Sequence, residues 1–500
     1  MQSHLEQKIA RIQGGQAPRV LDLFAGCGGF SLGFLSAGYE IVGAVEADKD
    51  AAKTFSENFG LPFNSVYRDI KKSEPSDVLC NLGPDQHIKE AVDVVVGGPP
   101  CQSFARIGRA KLRSQSKKSS EWSARAELYQ HYIGYVTTLE PLVIVFENVP
   151  DILNYRGQNV AALICEQLEE AGYHAGCTLL NSVFYGVPQL RERLYLVAYH
   201  ESLGRQISWP APTHSYKLPA GYIDIRSYAR KRNRGRKSRL NEEPLSKSWI
   251  ENLSPLLPSV TTEQALIGLP KIFAESALKS GLLGRKSQKP SLRVNYTADF
   301  SKSQYDYIMR NWPNFVSSDT TSAHVIRCLP RDFRIFAQME AGDQYPAALA
   351  ISKKLFLSEI ERLSDSGTDI KQGSPAWEEL YSQYVPPYCS EKFPNKWRKM
   401  DPLAPSRTLM AHLGHDGYSH IHYDSDQART ISVREAARLQ SFPDAFEFHC
   451  SMNSAFRQIG NAVPPLVSYA LAQKIANDLE ASLAPDFRIA SHYQNPVCAS

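Results

Sequence analysis

The sequence predicts a doubly wound α/β domain with a mostly parallel sheet, interrupted by a large inserted region. In the first 200 of the 500 residues, short β-branched apolar runs alternate with segments of helical periodicity. These runs are continuously apolar, as expected of parallel strands covered by helices on both faces. The periodic signal then fades after residue 204 and returns only near residue 427.

Five apolar runs predict the strands of the sheet: residues 19–24, 40–46, 92–98, 142–148 and 193–199. Four segments between them predict helices: residues 29–38, 48–58, 122–140 and 158–172. The polar residues 1–18 precede the first strand and are predicted to form a helical lead-in. Residues 19–204 therefore form the first part of the α/β domain.

Residues 205–425 are rich in Pro, Ser, Tyr and Arg, and their turn signals predict an inserted region of irregular structure. Helical periodicity stands out only at about 330–340 and 350–363. The chain is predicted to return to the α/β domain over 426–485 and to end in a tail, 486–500. In the return, Ser432 and Glu435 form a predicted capping box, and 465–482 an amphipathic helix.

The composition argues against several classes of protein. No run of 18 apolar residues occurs and the start lacks a secretory signal, so we expect a cytoplasmic protein without membrane spans. Nine cysteines with no C-x-x-C pair argue against a disulfide framework and predict no metal site. The cysteines at positions 27, 165, 177 and 328 are interpreted as small buried apolar residues.

Positive charge is concentrated in one short segment. The net charge is only +4, yet residues 230–239 read R-K-R-N-R-G-R-K-S-R. Such a run is typical of a local phosphate contact, for which Arg230, Lys231 and Arg232 are candidates. A solvated loop without a ligand is the alternative interpretation.

The segment Asp22–Phe30, D-L-F-A-G-C-G-G-F, lies between the first predicted strand and helix. Its glycines let the backbone approach a nucleotide-like ligand at the carboxyl end of a parallel strand. Glu46, at the end of the second strand, is placed to bind ribose hydroxyls. The G-x-G-G spacing lacks the dinucleotide fingerprint, so the residues indicate a nucleoside-type cofactor and no more.

The segment G-G-P-P-C-Q-S-F follows the third predicted strand and places Cys101 at the same end of the sheet. Two prolines stiffen the backbone before this thiol, which makes Cys101 a candidate nucleophile. A buried packing cysteine is the alternative.

Three further segments carry polar side chains toward the same crevice. Glu147 ends the fourth strand, although a solvated acid or a helix N-cap would also fit. Gln189, Arg191 and Arg193 would share one face of the next strand, where surface ion pairs are the default interpretation. R-Q-I-G-N-A-V-P-P, 457–465, predicts a defined turn before the last helix.

Together and in this order, these segments resemble the DNA (cytosine-5) methyltransferases. The blocks DLFAGCGGF, GGPPCQSF, FENV, QLRERLYLVA, RTISVREAARLQSFPD and RQIGNAVPP are similar to that family's motifs over roughly 20–200 and 427–480. The resemblance implies a Rossmann-like methyltransferase fold that uses S-adenosylmethionine, and it identifies 205–425 with the target-recognition domain.

The resemblance also implies the catalytic roles. Cys101 would attack C6 of a cytosine flipped out of duplex DNA, which makes C5 nucleophilic toward the methyl group. Glu147 would hold N3 and the exocyclic amine. Arg193 would contact the base carbonyl, and Arg191 would help to orient it.

The cofactor residues implied by the resemblance are Phe24, Ala25, Gly26, Cys27, Gly28, Gly29, Glu46, Asp69, Ile70, Pro100, Asn461 and Ala462. The implied DNA contacts outside the basic run are Gln102, Arg106, Arg109, Gln189 and Thr408. The resemblance implies double-stranded DNA as the partner of a monomer, with a restriction endonuclease acting separately as a further possible partner. Neither the recognition sequence nor the base-contacting residues of 205–425 can be read from the sequence.

Two other functions stay open from the sequence. One branch of this family methylates tRNA, although the long inserted region argues against that activity. A DNA-binding regulator with a dead active site is the second alternative, and intact Cys101, Glu147 and Arg193 argue against it.

Overall fold

A computed structural model describes residues 3–79, 87–100, 120–155, 159–219, 256–283, 290–296, 303–317, 319–392 and 396–480. The predicted lead-in is a helix, α1 (His4–Gln13), that begins with a capping box formed by Ser3 and Glu6. No helix in these ranges is both long and apolar enough to cross a membrane.

The centre of the molecule is a six-stranded sheet with the order β2-β1-β3-β4-β7-β5. Its strands are β1 (Arg19–Leu23), β2 (Glu40–Val45), β3 (Val94–Gly97), β4 (Val143–Asn148), β5 (Tyr173–Asn181) and β7 (Glu192–His200), while β6 (Gln189–Leu190) lies outside it. Strands β2, β1, β3 and β4 are parallel, whereas β7 runs antiparallel to both β4 and β5. The expectation of a mostly parallel sheet is confirmed.

The sheet is covered on both faces, as the continuous apolar strands predicted. In β3, Val94 and Val96 pack into one buried core with helices from both ends of the chain, while Val95 points into a second core on the other face. The helices of the first half are α2 (Gly29–Ser36), α3 (Lys49–Phe59), α4 (Phe63–Val66), α5 (Pro75–Val78), α6 (Ser120–Leu139) and α7 (Val160–Glu170).

The predicted inserted region contains more regular structure than its sequence indicates. Its helices are α8 (Thr262–Leu266), α9 (Ala274–Lys279), α10 (Gln304–Arg310), α11 (Pro330–Phe336), α12 (Tyr345–Asp365) and α13 (Pro375–Tyr384). Within the described part of this region, the strands pair two at a time: β8 (His214–Ser215) with β9 (Leu257–Pro258), β10 (Val294–Asn295) with β13 (Thr320–Thr321), β11 (Asn311–Trp312) with β12 (Phe315–Val316), and β14 (Ser406–Arg407) with β6.

Segments of 205–425 pack into two different cores. Phe336, Trp397 and Tyr418 belong to a separate core of this region. Trp312 and Phe315, in contrast, pack into the first core of the α/β domain. The inserted region is therefore tied to the sheet by its own buried side chains, and the boundaries at 204 and 426 stay predictions.

The return of the chain supplies α14 (Val433–Leu439), α15 (Met452–Asn461) and α16 (Pro465–Asp478). The capping box of Ser432 and Glu435 is confirmed at the start of α14. Helix α16 is buried on most of its surface rather than on one amphipathic face. It lies so close to α2 that a Cβ on Gly33 would come within 2.4 Å of the Ser468 Cβ.

The cysteine prediction holds at three of its four positions. Cys27, Cys165 and Cys177 are buried. Cys328 is exposed, contrary to the prediction, because it lies in an irregular segment just before α11.

Candidate active site

A cavity of about 470 Å³ lies at the carboxyl ends of the parallel strands. It is lined by the predicted cofactor residues Phe24, Ala25, Gly26, Gly29, Glu46, Asp69, Ile70, Pro100, Asn461 and Ala462, together with Glu147, Arg191 and Arg193. Residues almost 440 positions apart in the chain therefore meet in one space. Carboxyl ends of parallel strands are where α/β folds bind ligands.

The turn after β1 has positive φ angles at several residues. Phe24 has a φ of 61°, which is rare outside glycine, and Gly26 has a φ of 57°. A Cβ at Gly26 would meet no atom within 4 Å, so this part of the turn leaves open space. At Gly29, a Cβ would come within 2.2 Å of the Val463 carbonyl oxygen. The turn can therefore pack against the 461–463 segment only with glycine at that position.

Two of the predicted cofactor residues do not line this cavity. Cys27 is 1% exposed and packs into the first core of the sheet. A Cβ at Gly28 would collide with the Phe59 ring at 2.3 Å. Cys27 faces the core and Gly28 packs against Phe59, and cofactor contacts by these two residues stay a prediction.

Glu46 is held in place by two backbone amides. Gly26 donates to its Oε2 at 2.8 Å and Asp48 donates to its Oε1 at 2.6 Å. Burial raises the pKa of Glu46, and the hydrogen bonds from these amides act against that rise. Each carboxylate oxygen can accept a second hydrogen bond, so Glu46 can receive two vicinal hydroxyls.

A second acid, Asp22, lines the floor of the cavity. It is 1% exposed and accepts a hydrogen bond from the Ser31 hydroxyl at 2.7 Å. Burial raises the pKa of Asp22 to about 7. The Asp22–Ser31 bond ties the end of β1 to the start of α2 and thereby fixes the turn between them.

Glu147 and Arg193 face each other across the β4–β7 ladder. Arg193 Nε lies 3.2 Å from Glu147 Oε1, and Arg193 Nη1 donates to the Glu192 carbonyl oxygen at 2.8 Å. Burial raises the pKa of Glu147, and the nearby Arg193 and Arg191 act against this rise. Within the described part of the chain, Glu147 Oε2 accepts no hydrogen bond; it faces Gly98, where a Cβ would lie 3.3 Å away. One acceptor of this buried pair is thus left for a ligand.

Arg191 lines the cavity, but both of its Nη groups donate to the protein. It is 1% exposed; Nη1 donates to the Leu409 carbonyl oxygen at 2.8 Å, and Nη2 donates to those of Gly460 and Ala462 at 3.1 and 3.0 Å. Burial and the neighbouring Arg193 lower the pKa of Arg191 to about 9. Arg191 therefore joins the inserted region to α15 as a positioning residue.

Gln189 is completely buried, which does not fit the predicted DNA contact. Its Nε2 donates to the Leu439 carbonyl oxygen at 3.0 Å and to Gln440 Oε1 at 2.6 Å, while its Oε1 accepts from the Leu409 amide at 2.8 Å. The prediction is corrected because no part of this side chain reaches the surface. Thr408 is half-buried and donates to the Leu190 carbonyl oxygen at 2.6 Å, so its predicted DNA contact stays a prediction.

Several cavity residues were not identified from the sequence. Asn148 donates from Nδ2 to the Pro99 carbonyl oxygen at 2.8 Å and so fixes the backbone just before residue 101. Arg457 forms an ion pair with Asp48 at 3.0 Å, and both line the cavity. Asn148 could have been found as the third letter of FENV. The Arg457–Asp48 pair could not, since 408 residues intervene.

Seven predicted site residues lie outside the described residues. They are Cys101, Gln102, Arg106, Arg109, Arg230, Lys231 and Arg232. Pro100, which is bonded to Cys101, is the last described residue of this segment and lines the cavity.

Comparisons with known proteins match almost the whole chain. The family model for C-5 cytosine-specific DNA methylases matches residues 18–477. The chain is 37% identical over 473 residues to the protein M.OihORF3336P of Oceanobacillus iheyensis, covering 93% of this chain and 96% of that one. It is 30% identical over 488 residues to the type II methyltransferase M.AgeI of Thalassovita gelatinovora, covering 91% and 99%.

One solved structure supports the fold. A prophage-encoded protein from E. coli, described as a DNA modification methyltransferase, aligns with a TM-score of 0.57 at 21% identity. The alignment covers 93% of this chain and all of the other.

Proposed function

Because this chain belongs to the family of C-5 cytosine-specific DNA methylases, we propose that it transfers a methyl group from S-adenosylmethionine to C5 of a cytosine flipped out of a specific sequence in duplex DNA. One observation carries the proposal. An acid–guanidinium pair, Glu147 and Arg193, shares a single cavity with Glu46 and with residues 24–26 and 29 of the turn after β1.

The cavity residues fit S-adenosylmethionine. Glu46 offers two acceptors for the ribose hydroxyls, and the Phe24 ring with Ile70 offers apolar surface for the adenine. The space beside Gly26 accommodates a ligand close to the backbone. When bound there, the cofactor supplies an electrophilic methyl group on a sulfonium.

Cys101 is the nucleophile of the covalent step in this proposal. Its thiolate forms a bond to C6 of the cytosine, and the electron pair displaced onto C5 attacks the methyl group. A base then removes the C5 proton, the C6–sulfur bond breaks, and the thiolate is restored. Pro99, held by Asn148, and Pro100 line the cavity and immediately precede Cys101 in the sequence.

Glu147 and Arg193 stabilise the charge that this addition creates. Burial raises the pKa of Glu147, which favours a carboxyl group able to share a proton with N3 of the base. Oε2 is the open acceptor for the exocyclic amine. Arg193 lies on the other side of Oε1 and can donate to the base carbonyl.

The cytosine must leave the duplex to reach this cavity, because C5 is enclosed in the base stack. The relative M.AgeI is named a type II methyltransferase. By similarity, we place this chain in a restriction–modification setting, with a separate endonuclease of the same specificity.

Methyl transfer from labelled S-adenosylmethionine tests the proposal. Genomic DNA from cells that lack this methylation should accept label from the wild-type chain, tRNA should not, and bisulfite sequencing of the product should show one recurring sequence. Cys101→Ala should abolish incorporation, whereas Cys389→Ala, at an exposed cysteine away from the cavity, should retain it. Equal label in tRNA, or none in DNA, would contradict the proposal.

A further inference from the structure

Met410 is an exposed apolar side chain that lies between two buried leucines. Its side chain is 56% exposed, whereas Leu409 and Leu413 on either side are 1% and 3% exposed. Exposure of one large apolar residue is common on protein surfaces. What sets Met410 apart is where its backbone is attached.

The backbone around Met410 is held directly by the walls of the active-site cavity. Arg191 binds the Leu409 carbonyl oxygen, and Gln189 Oε1 accepts from the Leu409 amide. On the other side, Gly460 packs so tightly that a Cβ there would lie 2.3 Å from the Met410 carbonyl carbon. Arg191 and Gly460 both line the cavity. Met410 is therefore rigidly mounted at the edge of the site.

The surface beside Met410 is suited to DNA backbone. Met410 lines a groove of about 440 Å³ together with the basic residues Lys392, Lys396 and Arg407, and with His412. His412 is largely exposed. Asp416 also lines the groove and lies 3.4 Å from both Lys396 Nζ and His412 Nε2, so the three basic residues outnumber one acid. Positively charged side chains around an exposed apolar one are the combination that positions phosphates and lets the apolar group reach the bases.

We propose that Met410 enters the duplex at the position that the target cytosine leaves. This inference rests on the proposed function. An extruded base leaves a gap and an unpaired guanine, and an apolar wedge that fills the gap keeps the stack from closing again. Such a wedge has to resist the stacking force, which explains why its backbone is fixed on both sides while its side chain is exposed.

The test compares two duplexes that carry the sequence mapped by bisulfite sequencing. In one duplex the target cytosine pairs with guanine; in the other it faces an abasic site, so that extrusion breaks no base pair. On the paired duplex, Met410→Ala should lower kcat/KM about tenfold or more, because the unpaired guanine is then free to recapture the cytosine. On the abasic duplex it should stay within about twofold of wild type.

Two control variants separate this role from a structural one. Met410→Leu keeps a wedge of similar volume and should retain activity on both duplexes. Leu403→Ala removes a side chain that is 77% exposed elsewhere in the inserted region and should match wild type. Activity of Met410→Ala within twofold of wild type on the paired duplex would overturn the inference, as would an equal loss on both duplexes. An inert wild-type chain would instead contradict the proposed function.

Discussion

Two regions of this molecule bury charged side chains, and they complete the hydrogen bonds of those side chains to different extents. In the cavity, Glu147 Oε2 accepts no hydrogen bond from any described residue. Arg193 contacts the other carboxylate oxygen, Oε1, at 3.2 Å. Around α14, Arg438 uses all of its nitrogen atoms within the protein. This cluster of buried charges, Asp306, Arg429, Glu435, Arg438 and Asp444, is called the α14 cluster below.

Arg438 is completely buried. It donates to both carboxylate oxygens of Asp444 at 2.9 and 2.5 Å and lies 2.8 Å from Asp306 Oδ1. Its Nη1 donates to the carbonyl oxygens of Ala265 and Ile267 at 3.2 and 2.9 Å. Although burial alone would raise it, Arg438 holds the pKa of Asp444 below its usual value.

The comparison shows how the same residue types serve structure in one place and chemistry in another. In the α14 cluster, Arg438 and both carboxylate oxygens of Glu435 and of Asp444 are hydrogen-bonded within the protein, so the charges hold the inserted region against the α/β domain. In the cavity, Glu147 Oε2 remains available as an acceptor, so a ligand can form the missing hydrogen bond. Removing a charge from the cluster should therefore cost stability, and removing one from the cavity should cost activity.

The largest effect is expected in the α14 cluster. Arg438→Met leaves Asp306 and Asp444 buried without their shared cation, and breaking a buried pair from one side costs about 3–5 kcal/mol. Chemical denaturation should report this loss in the free energy of unfolding. An Arg438→Met variant as stable as wild type would contradict the stabilising role assigned to the α14 cluster.

A loss of activity without a comparable loss of stability is expected in the cavity. Glu147→Gln keeps the shape but cannot supply the proton, and loss of such a group lowers the rate by roughly 10²–10⁴-fold. Steady-state methyl transfer and thermal unfolding measured on the same preparation would give both values. If Glu147→Gln unfolded as easily as Arg438→Met, the two regions would not differ as described.

The smallest effect concerns a buried histidine beside the α14 cluster. His324 contacts the Ser432 hydroxyl at 2.9 Å and the Pro270 carbonyl oxygen at 2.7 Å, and burial lowers its pKa to about 4. The unfolded chain therefore binds a proton at this position between about pH 6.5 and 4 that the folded chain does not. The contribution of His324 to the free energy of unfolding is therefore complete above about pH 6.5 and is lost as the pH falls toward 4.

Unfolding measured across this window in wild type and His324→Gln tests the assignment. The variant should be less stable at pH 7.5, and the gap between the two proteins should narrow toward pH 4. A gap independent of pH would show that His324 does not titrate as described.

The sequence predicted those features whose partners are close in the chain. The parallel strands were found because each is a continuous apolar run, and the capping box because Ser432 and Glu435 are three residues apart. Strand β5 was missed because its first half is partly exposed and carries no such run.

Side-chain roles that depend on distant partners were not predictable. Gln189 and Arg191 were expected beside the DNA and the base, yet their hydrogen bonds reach positions 409 and 460–462. Arg438 meets Asp306 across more than 130 residues. The motifs identified which residues matter, while the structure distinguishes those that hold the site together from those left open to a ligand.

Covalent capture on DNA is the most direct test of the account. A duplex with 5-fluorocytosine at the mapped target position cannot lose its C5 substituent after methyl transfer, so an attacking thiolate stays attached to C6. With S-adenosylmethionine present, the wild-type chain and the Cys389→Ala variant should form a denaturation-resistant complex, and peptide mapping should place the DNA on Cys101. A wild-type chain that methylates ordinary DNA but forms no such complex, or a complex that persists in Cys101→Ala, would contradict it.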